Sequence, residues 1–287
     1  MALTSHLVPN PAPISPQLWR SLREVPESEL STWVARSLSE SEASKVTARL
    51  ECLDDVEEEL ESLADRGIFV VTEFDQRFPQ RWKERLRGKH PALLFVAGAA
   101  ELLNQDHVGI VGSREVDEEG SSFARAVAAE AVSLGKGVVS GGARGVDQIA
   151  MAGAFEAGGA SVGILADSLV KTIKQPATAQ ALESGQVCLA TPFSPNVPFS
   201  VGAAMGRNKL IYAMSVATVV VAASEGSGGT WAGAIEALDQ QLCPVLVRDI
   251  PLEGNRKLIG RGGHPIADVS ELSELLESTT VRQQSLF

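Results

Sequence analysis

The hydrophobic positions along the chain follow two different spacings, and the change falls at Asp65-Arg66-Gly67. Before this point, apolar side chains recur every three or four positions, which places each set on one face of a helix. The segments with this spacing are 18–22, 30–34 and 46–60. The pattern predicts a small all-helical domain over residues 1–64, with Trp19 and Trp33 in its core.

After Gly67 the chain alternates short, continuously apolar runs with helical segments rich in alanine and glutamate. Such runs are typical of strands buried on both faces of a parallel sheet that has helices on each side. The runs are 68–71, 93–96, 108–111, 138–139, 162–165, 187–189, 218–221 and 245–247. The clearest helical segments are 123–134, 149–157 and 232–240. We predict a doubly wound α/β domain over residues 65–270, then a short helix and a polar tail over 271–287.

The composition narrows the class of protein. Of the 287 residues, 44% are hydrophobic and 21% are charged, which is ordinary for a chain with a buried core. Cys52, Cys188 and Cys243 form no CxxC pair, which argues against a disulfide scaffold or a thiolate zinc site and favours a reducing compartment. No apolar run approaches the ~18 residues of a membrane span, and the first residues are too polar for a signal peptide. We expect a cytoplasmic protein without a membrane partner.

The formal net charge of −11 argues against a broad basic surface for nucleic acid. Any site for a polyanion must therefore be local. Ligands of open α/β sheets bind outside the carboxyl ends of the strands, so the candidate positions are the connections from strand to helix.

Four connections combine glycines, hydroxyls and cations. Glycine-rich turns and helix N-termini present main-chain N–H groups to anions, and arginine supplies a charged fork that matches phosphate. The first connection contains Gly112, Ser113 and Arg114. The second contains Ser140, Gly141, Gly142, Arg144 and Gly145. The third, just inside a helical segment, contains Arg207, Asn208 and Lys209. The fourth contains Ser227, Gly228, Gly229 and Thr230. Together they predict a site for an extended polyphosphate ligand.

Other chemistries have less support in the sequence. The second connection has neither the GxGxxG spacing of dinucleotide-binding proteins nor a Walker lysine. No GxSxG motif surrounds Ser140 or Ser227, and the four histidines lack metal-binding spacing. Asp147, in a first helical turn, favours a cap or an ion pair with a neighbouring arginine. We expect a binding protein rather than an enzyme, with no catalytic residue, no metal and no cofactor.

The motifs of these connections make the chain resemble the DNA processing protein A family of bacteria, also called DprA or Smf. The matching segments are 72–79, 91–95, 110–114, 140–147, 206–211 and 227–230. The resemblance implies an extended Rossmann-like fold with a mostly parallel sheet, which binds the phosphates of single-stranded DNA. It also implies transfer of that DNA to the recombinase RecA, a homodimer, and a role in DNA uptake, processing or recombination.

Departures from the family pattern leave other ligands open. Met151 replaces a histidine, the fourth connection reads Ser-Gly-Gly-Thr-Trp in place of Ser-Gly-Ser-Leu, and we expect no winged helix after residue 270. One alternative is a nucleotide- or nucleic-acid-sensing antitoxin or antiphage defence component of the same fold, with a cognate partner protein. A second is a nucleotide phosphoribohydrolase of the LOG type, because 228–230 and Glu236 partly match PGGxGTxxE.

Overall fold

The computed structural model describes residues 14–22, 24–226 and 228–284. The apolar runs in the described part of the chain form a nine-stranded sheet. Its strands are β1 (Ile68–Thr72), β2 (Leu93–Gly98), β3 (His107–Val111), β4 (Gly137–Ser140), β5 (Ser161–Ile164), β6 (Val187–Thr191), β7 (Ala217–Val220), β8 (Val245–Arg248) and β9 (His264–Ile266). Across the sheet the order is β1-β2-β6-β5-β4-β3-β7-β8-β9.

In this order across the sheet, every neighbouring pair of strands from β6 to β9 is parallel. Strand β2 instead pairs antiparallel with both β1 and β6. This arrangement confirms the predicted α/β fold with an extended Rossmann-like, mostly parallel sheet. Each predicted run coincides with a strand, although Leu165 and Val221 lie one residue past the ends of β5 and β7. Strand β9 was not predicted. It has three residues, includes Pro265 and lies at the sheet edge, where proline is tolerated and the apolar pattern is weak.

Helices lie on both faces of this sheet and also precede its first strand. They are α1 (Pro16–Leu22), α2 (Leu30–Ser37), α3 (Glu40–Leu50), α4 (Leu53–Ala64), α5 (Gln80–Arg85), α6 (Glu118–Ser133), α7 (Val146–Glu156), α8 (Leu169–Thr172), α9 (Pro176–Glu183), α10 (Val201–Met214), α11 (Gly228–Gln240), α12 (Glu253–Gly260) and α13 (Leu272–Gln284). Helices α10 and α11 pack on one face, against side chains such as Val111 and Val220. Helices α6, α7 and α13 pack on the other, against side chains such as Val108 and Ile110.

Several helix boundaries differ from the prediction, and three of the differences change the interpretation. The segment 46–60 forms two helices, α3 and α4, with a turn between them that no glycine or proline marks in the sequence. Helix α11 begins at Gly228, so the glycines of the fourth connection form its first turn instead of a preceding loop. Helix α13 continues to Gln284, and the end of the predicted tail, 285–287, lies outside the described residues.

The helices before the sheet divide into two groups. Helices α1 to α3 share an apolar cluster that includes Leu22 and Val46, with Trp19 and Trp33 packed against it, as predicted. Helix α4 instead packs on the sheet, because Leu63 lies in a cluster with strand residues such as Ile68. The proposed domain boundary at residue 64 therefore follows a helix that contacts the sheet, and the boundary stays a prediction.

An arginine joins the first group of helices to the sheet domain. The guanidinium of Arg20 donates to the carboxylate of Glu73 (2.9 Å) and to the carbonyl of Gly88 (2.8 Å). It also lies 3.2 Å from a ring nitrogen of His90. Glu73 and His90 are buried, so this ion pair is shielded from solvent on the sheet side.

Candidate functional site

A cavity of about 550 Å³ opens where the strand order changes direction. The chain moves from β3 through β4 and β5 to β6 on one side, and β7 starts the other side next to β3. β3 and β7 stay paired to their carboxyl ends, but the connections that follow them lead to helices on opposite faces of the sheet. These connections form walls of the cavity. Ligands of doubly wound folds bind at this kind of switch point.

Hydrogen bonds join the connections around the cavity into one unit. The hydroxyl of Thr230, in the first turn of α11, donates to the carbonyl of Gly112 (2.9 Å). The main-chain N–H of Val146 donates to the carbonyl of Ser113 (3.2 Å), which ties the start of α7 to the same loop. The side-chain amide of Asn208 donates to the carbonyl of Gly229 (2.8 Å), which ties α10 to α11. The structure thus brings all four predicted connections together at one edge of the sheet.

One glycine allows the closest of these approaches. Gly145 has a φ of +88°, and a Cβ at this position would lie 2.6 Å from the carbonyl oxygen of Arg114. Any other residue would combine backbone strain with a clash, so the glycine is needed for the second connection to pack on the first.

A buried arginine and a buried carboxylate form the floor beside the cavity. Arg207 is 5% exposed, and its guanidinium donates to the carbonyl of Ile164 (2.6 Å). Asp147 is 7% exposed, and both groups lie beside Gly141. Burial raises the pKa of Asp147 and lowers the pKa of Arg207, and in each case the charge of the other group opposes the shift. The positive charge of Arg207 therefore interacts with Asp147 inside the protein and is not exposed to a ligand. The position of Arg207 in the sequence did not predict this.

The exposed cations at the cavity are Arg114 and Arg144, among the lining residues that the structure describes. The Arg114 guanidinium lies over the ring of Phe199, 4.6 Å from its centroid. Arg144 lies 3.5 Å from the carboxylate of Glu115, and both of these side chains are largely exposed. These guanidinium groups are accessible to an anion, unlike that of Arg207.

Several predicted site residues lie away from the cavity surface. Ser140 is fully buried, and its hydroxyl donates to the carbonyl of Ile110 (2.6 Å). Lys209 follows Arg207 by two positions in α10 and is not among the residues that line the cavity. Gly142 does not line it either, and Ser227 lies outside the described residues. Gly141 lines a smaller adjoining depression of about 300 Å³.

Some lining residues were not identified from the sequence. Phe199, Val201 and Met205 are large apolar residues that are 46%, 71% and 42% exposed beside the cavity. Tyr212 also lines it, and its buried hydroxyl has no hydrogen-bond partner among the described residues. Burial raises the pKa of Tyr212 well above its usual value, so the hydroxyl stays neutral. These three exposed apolar side chains lie within seven residues of one another, but only the structure shows that they are exposed.

The described residues contain no cluster of histidine, cysteine, aspartate and glutamate placed to hold a metal ion. None of the described helices is both long and apolar enough to cross a membrane. Glu236, the carboxylate that a LOG-type hydrolase would need, accepts a hydrogen bond from Gln240 and does not line the cavity.

Comparison with known proteins identifies relatives of this sheet domain. A model of the family described as DNA recombination-mediator protein A matches residues 69–277. A protein of Mycobacterium tuberculosis named a putative DNA processing protein DprA is 29% identical over 237 residues. The match covers 76% of this chain and 60% of that protein, so the chain spans somewhat over half the length of this relative.

Solved structures support the same fold. The DNA processing protein A of Streptococcus pneumoniae superposes with a TM-score of 0.72 at 19% identity, covering 91% of this chain and 93% of that one. The Helicobacter pylori protein, whose structure is described for its single-stranded DNA binding mode, gives a TM-score of 0.60 at 22% identity. That match covers 74% of this chain and 97% of the Helicobacter chain. At these identities the structures establish the fold of this chain.

Proposed function

Because the chain belongs to the DNA recombination-mediator protein A family, we propose that it binds single-stranded DNA in the cavity at the carboxyl edge of its sheet. One observation carries the proposal. Connections after different strands are tied by hydrogen bonds around a single cavity, and Arg114 is exposed on one of them. Such an arrangement holds main-chain N–H groups and a guanidinium in fixed positions before an anion arrives.

Phosphates and bases would contact different parts of this cavity. The first turn of α11 begins with Gly228 and Gly229, and unpaired N–H groups at a helix N-terminus attract phosphate. Arg114 and Arg144 line the same cavity and add positive charge. Arg114 covers one face of the exposed Phe199 ring, and an unpaired base of any identity would stack on the other face. In duplex DNA the bases are already stacked, so this contact favours a single strand.

A side-by-side titration tests the proposal. Fluorescence anisotropy would compare a labelled single strand, its duplex and a labelled mononucleotide at one salt concentration. We expect the single strand to bind more tightly than the duplex, and the mononucleotide to bind most weakly because it makes one phosphate contact. Equal affinity for duplex and single strand would contradict the proposal.

A nucleotide ligand is the second candidate, and one observation favours it. The cavity volume of about 550 Å³ lies within the range of roughly 300–1,000 Å³ that is usual for small-molecule sites. A nucleotide-sensing defence role would follow if the mononucleotide bound more tightly than the single strand. The position of Glu236 gives no support to phosphoribohydrolase activity, and release of ribose 5-phosphate from nucleoside monophosphates would test it directly.

Transfer of DNA to RecA and homodimer formation are further parts of the proposal, supported by the family resemblance. Light scattering after gel filtration would measure the oligomeric state. Loading of RecA onto strands coated with single-strand-binding protein, with and without this chain, would test the transfer. If the chain does not stimulate loading, the proposed transfer to RecA is wrong, whereas the proposed DNA binding stands.

A further inference from the structure

The charges around the cavity do not favour a long polyanion. The cavity adjoins a depression of about 300 Å³ and a shallower one on the α6 and α7 side. The basic residues that line these three spaces are Arg114, Arg144 and Arg207. The acidic residues that line them are Glu115, Asp117, Asp147 and Asp167. Four carboxylates against three guanidinium groups is an unusual balance for a surface that binds DNA.

The buried pair reduces the available positive charge further. Arg207 and Asp147 are both nearly inaccessible and their charges offset one another. Among the described residues that line these three spaces, this leaves Arg114 and Arg144 as the cations that a phosphate can reach. Glu115, Asp117 and Asp167 line the same spaces. Arg144 already lies 3.5 Å from Glu115. A phosphate that binds Arg144 must therefore compete with a carboxylate of the protein itself.

Two of the acidic residues also lie in one direction in which a longer strand could leave the cavity, towards α6 and α7. Glu115 lines both the cavity and the shallow depression beyond Arg144. Asp117 lines that depression too, and one of its oxygens caps α6 by accepting from the N–H of Gly120 (2.7 Å). Like charges repel across distances shorter than the Debye length, about 10 Å at moderate salt. Phosphates beyond those held by the two arginines would thus be repelled in this direction.

We propose that each chain recognises a short segment of single-stranded DNA, about two phosphates long, and that Glu115 limits both its length and its affinity. This inference rests on the proposed function. Two exposed arginines supply the charge, while main-chain N–H groups at α11 and the ring of Phe199 supply contacts that do not grow with strand length. The charge contribution to binding is then small even for a long strand.

The dependence of binding on length and salt tests the inference. Unlabelled thymidine oligonucleotides of two, four, eight and twenty residues would compete with a labelled twenty-residue strand for the full chain. We expect a slope of log K against log salt of about −1.4, since each phosphate of a single strand contributes about −0.7. The slope should be the same for oligonucleotides of four and twenty residues. The affinity per binding register, which is the affinity divided by the number of positions that the chain can occupy along the oligonucleotide, should stop rising after four residues.

A single charge change tests the part played by Glu115. Glu115→Gln should raise affinity about threefold at low salt, the effect expected of one exposed charge pair, and the gain should disappear at high salt. Glu58→Gln is the matched control, because Glu58 is exposed on α4 and lines none of the three spaces. Equal effects of the two variants would overturn the role of Glu115.

The remaining outcomes separate this inference from the proposed function. A slope steeper than about −2.8, with affinity per register still rising at twenty residues, would overturn the short segment while DNA binding stands. Failure of every oligonucleotide to compete, with no binding of the labelled strand, would overturn the proposed function and the inference with it.

Discussion

The hydroxyl of Thr230 donates a hydrogen bond to the carbonyl of Gly112 across 2.9 Å, and these residues are 118 positions apart in the chain. Gly112 follows β3, whereas Thr230 lies in the first turn of α11, after β7. The bond fixes the N-terminus of α11 relative to the loop that carries Arg114. A helix terminus and a guanidinium, both attractive to phosphate, are thereby held in fixed positions at one cavity.

Removal of this bond should weaken both the fold and DNA binding. Thr230→Val keeps the shape of the side chain but removes the donor, and leaves the partly buried carbonyl of Gly112 without its partner. We expect the free energy of unfolding to fall by about 1–2 kcal/mol in urea titration. Binding of a single strand should weaken as well. Thr230→Ser retains the hydroxyl and should bind like the unaltered chain; if the valine variant does so too, the bond does not organise the site.

Two glycines should respond in opposite directions to the same substitution. A Cβ on Gly141 would overlap the guanidinium of Arg207, so Gly141→Ala should lower the free energy of unfolding by about 1–3 kcal/mol. Gly206 lies within α10, and an added Cβ meets no atom within 4 Å. Gly206→Ala should raise that free energy by about 0.5–1 kcal/mol. Urea titration of both variants decides, and a neutral Gly141→Ala would mean that Arg207 is free to move away.

Phe199 should contribute to DNA binding without contributing charge. Phe199→Ala removes the exposed ring, and we expect single-strand affinity to fall by about 1–3 kcal/mol, the range for one base stacked on an aromatic side chain. The slope of log K against log salt should stay unchanged. Phe74→Ala is the matched control, because Phe74 is 47% exposed against 46% for Phe199 and packs near Trp19, away from the cavity. Equal losses in the two variants would indicate a general effect on the fold.

The strands and the glycine-rich connections were predictable because their signals are local. A continuously apolar run such as 108–111 indicates a buried strand, and the glycine that follows indicates a turn. The burial of Arg207 was not predictable in this way. It depends on the carbonyl of Ile164, 43 positions away, and on the absence of a side chain at Gly141. Local sequence cannot distinguish an arginine that faces solvent from one that binds a main-chain carbonyl of a distant strand.

Phe199 was missed for a different reason. It lies in an irregular segment before α10, where no periodicity assigns side chains to the core or the surface. Its position over Arg114 depends on the arrangement of the connections after β3 and β6. The sequence also could not predict that α4 packs on the sheet while α1 to α3 pack on one another. Helices α3 and α4 have the same apolar spacing, although they pack on different partners.

The packing of α4 predicts where the chain can be truncated. A chain that starts at residue 53 keeps Leu63 in its cluster with Ile68, whereas a chain that starts at residue 65 exposes that cluster. Both shortened chains lack Arg20, so a difference in stability between them comes from α4. We expect the first to fold and retain single-strand affinity, and the second to be less stable by about 2–5 kcal/mol, the cost of deleting a large buried apolar side chain. Equal stability in urea would place the boundary at residue 64.

DNA binding as proposed depends above all on Arg114, whose guanidinium would bind a phosphate of the single strand at the carboxyl edge of the sheet. The most direct test is the slope of log K against log salt for one labelled single strand, measured for the unaltered chain, Arg114→Ala and Arg36→Ala. Arg36 is an exposed arginine on α2, outside the cavity lining. We predict that Arg114→Ala weakens binding and makes the slope less negative by about 0.7, while Arg36→Ala changes neither. An unchanged slope in a folded Arg114→Ala variant would mean that Arg114 binds no phosphate.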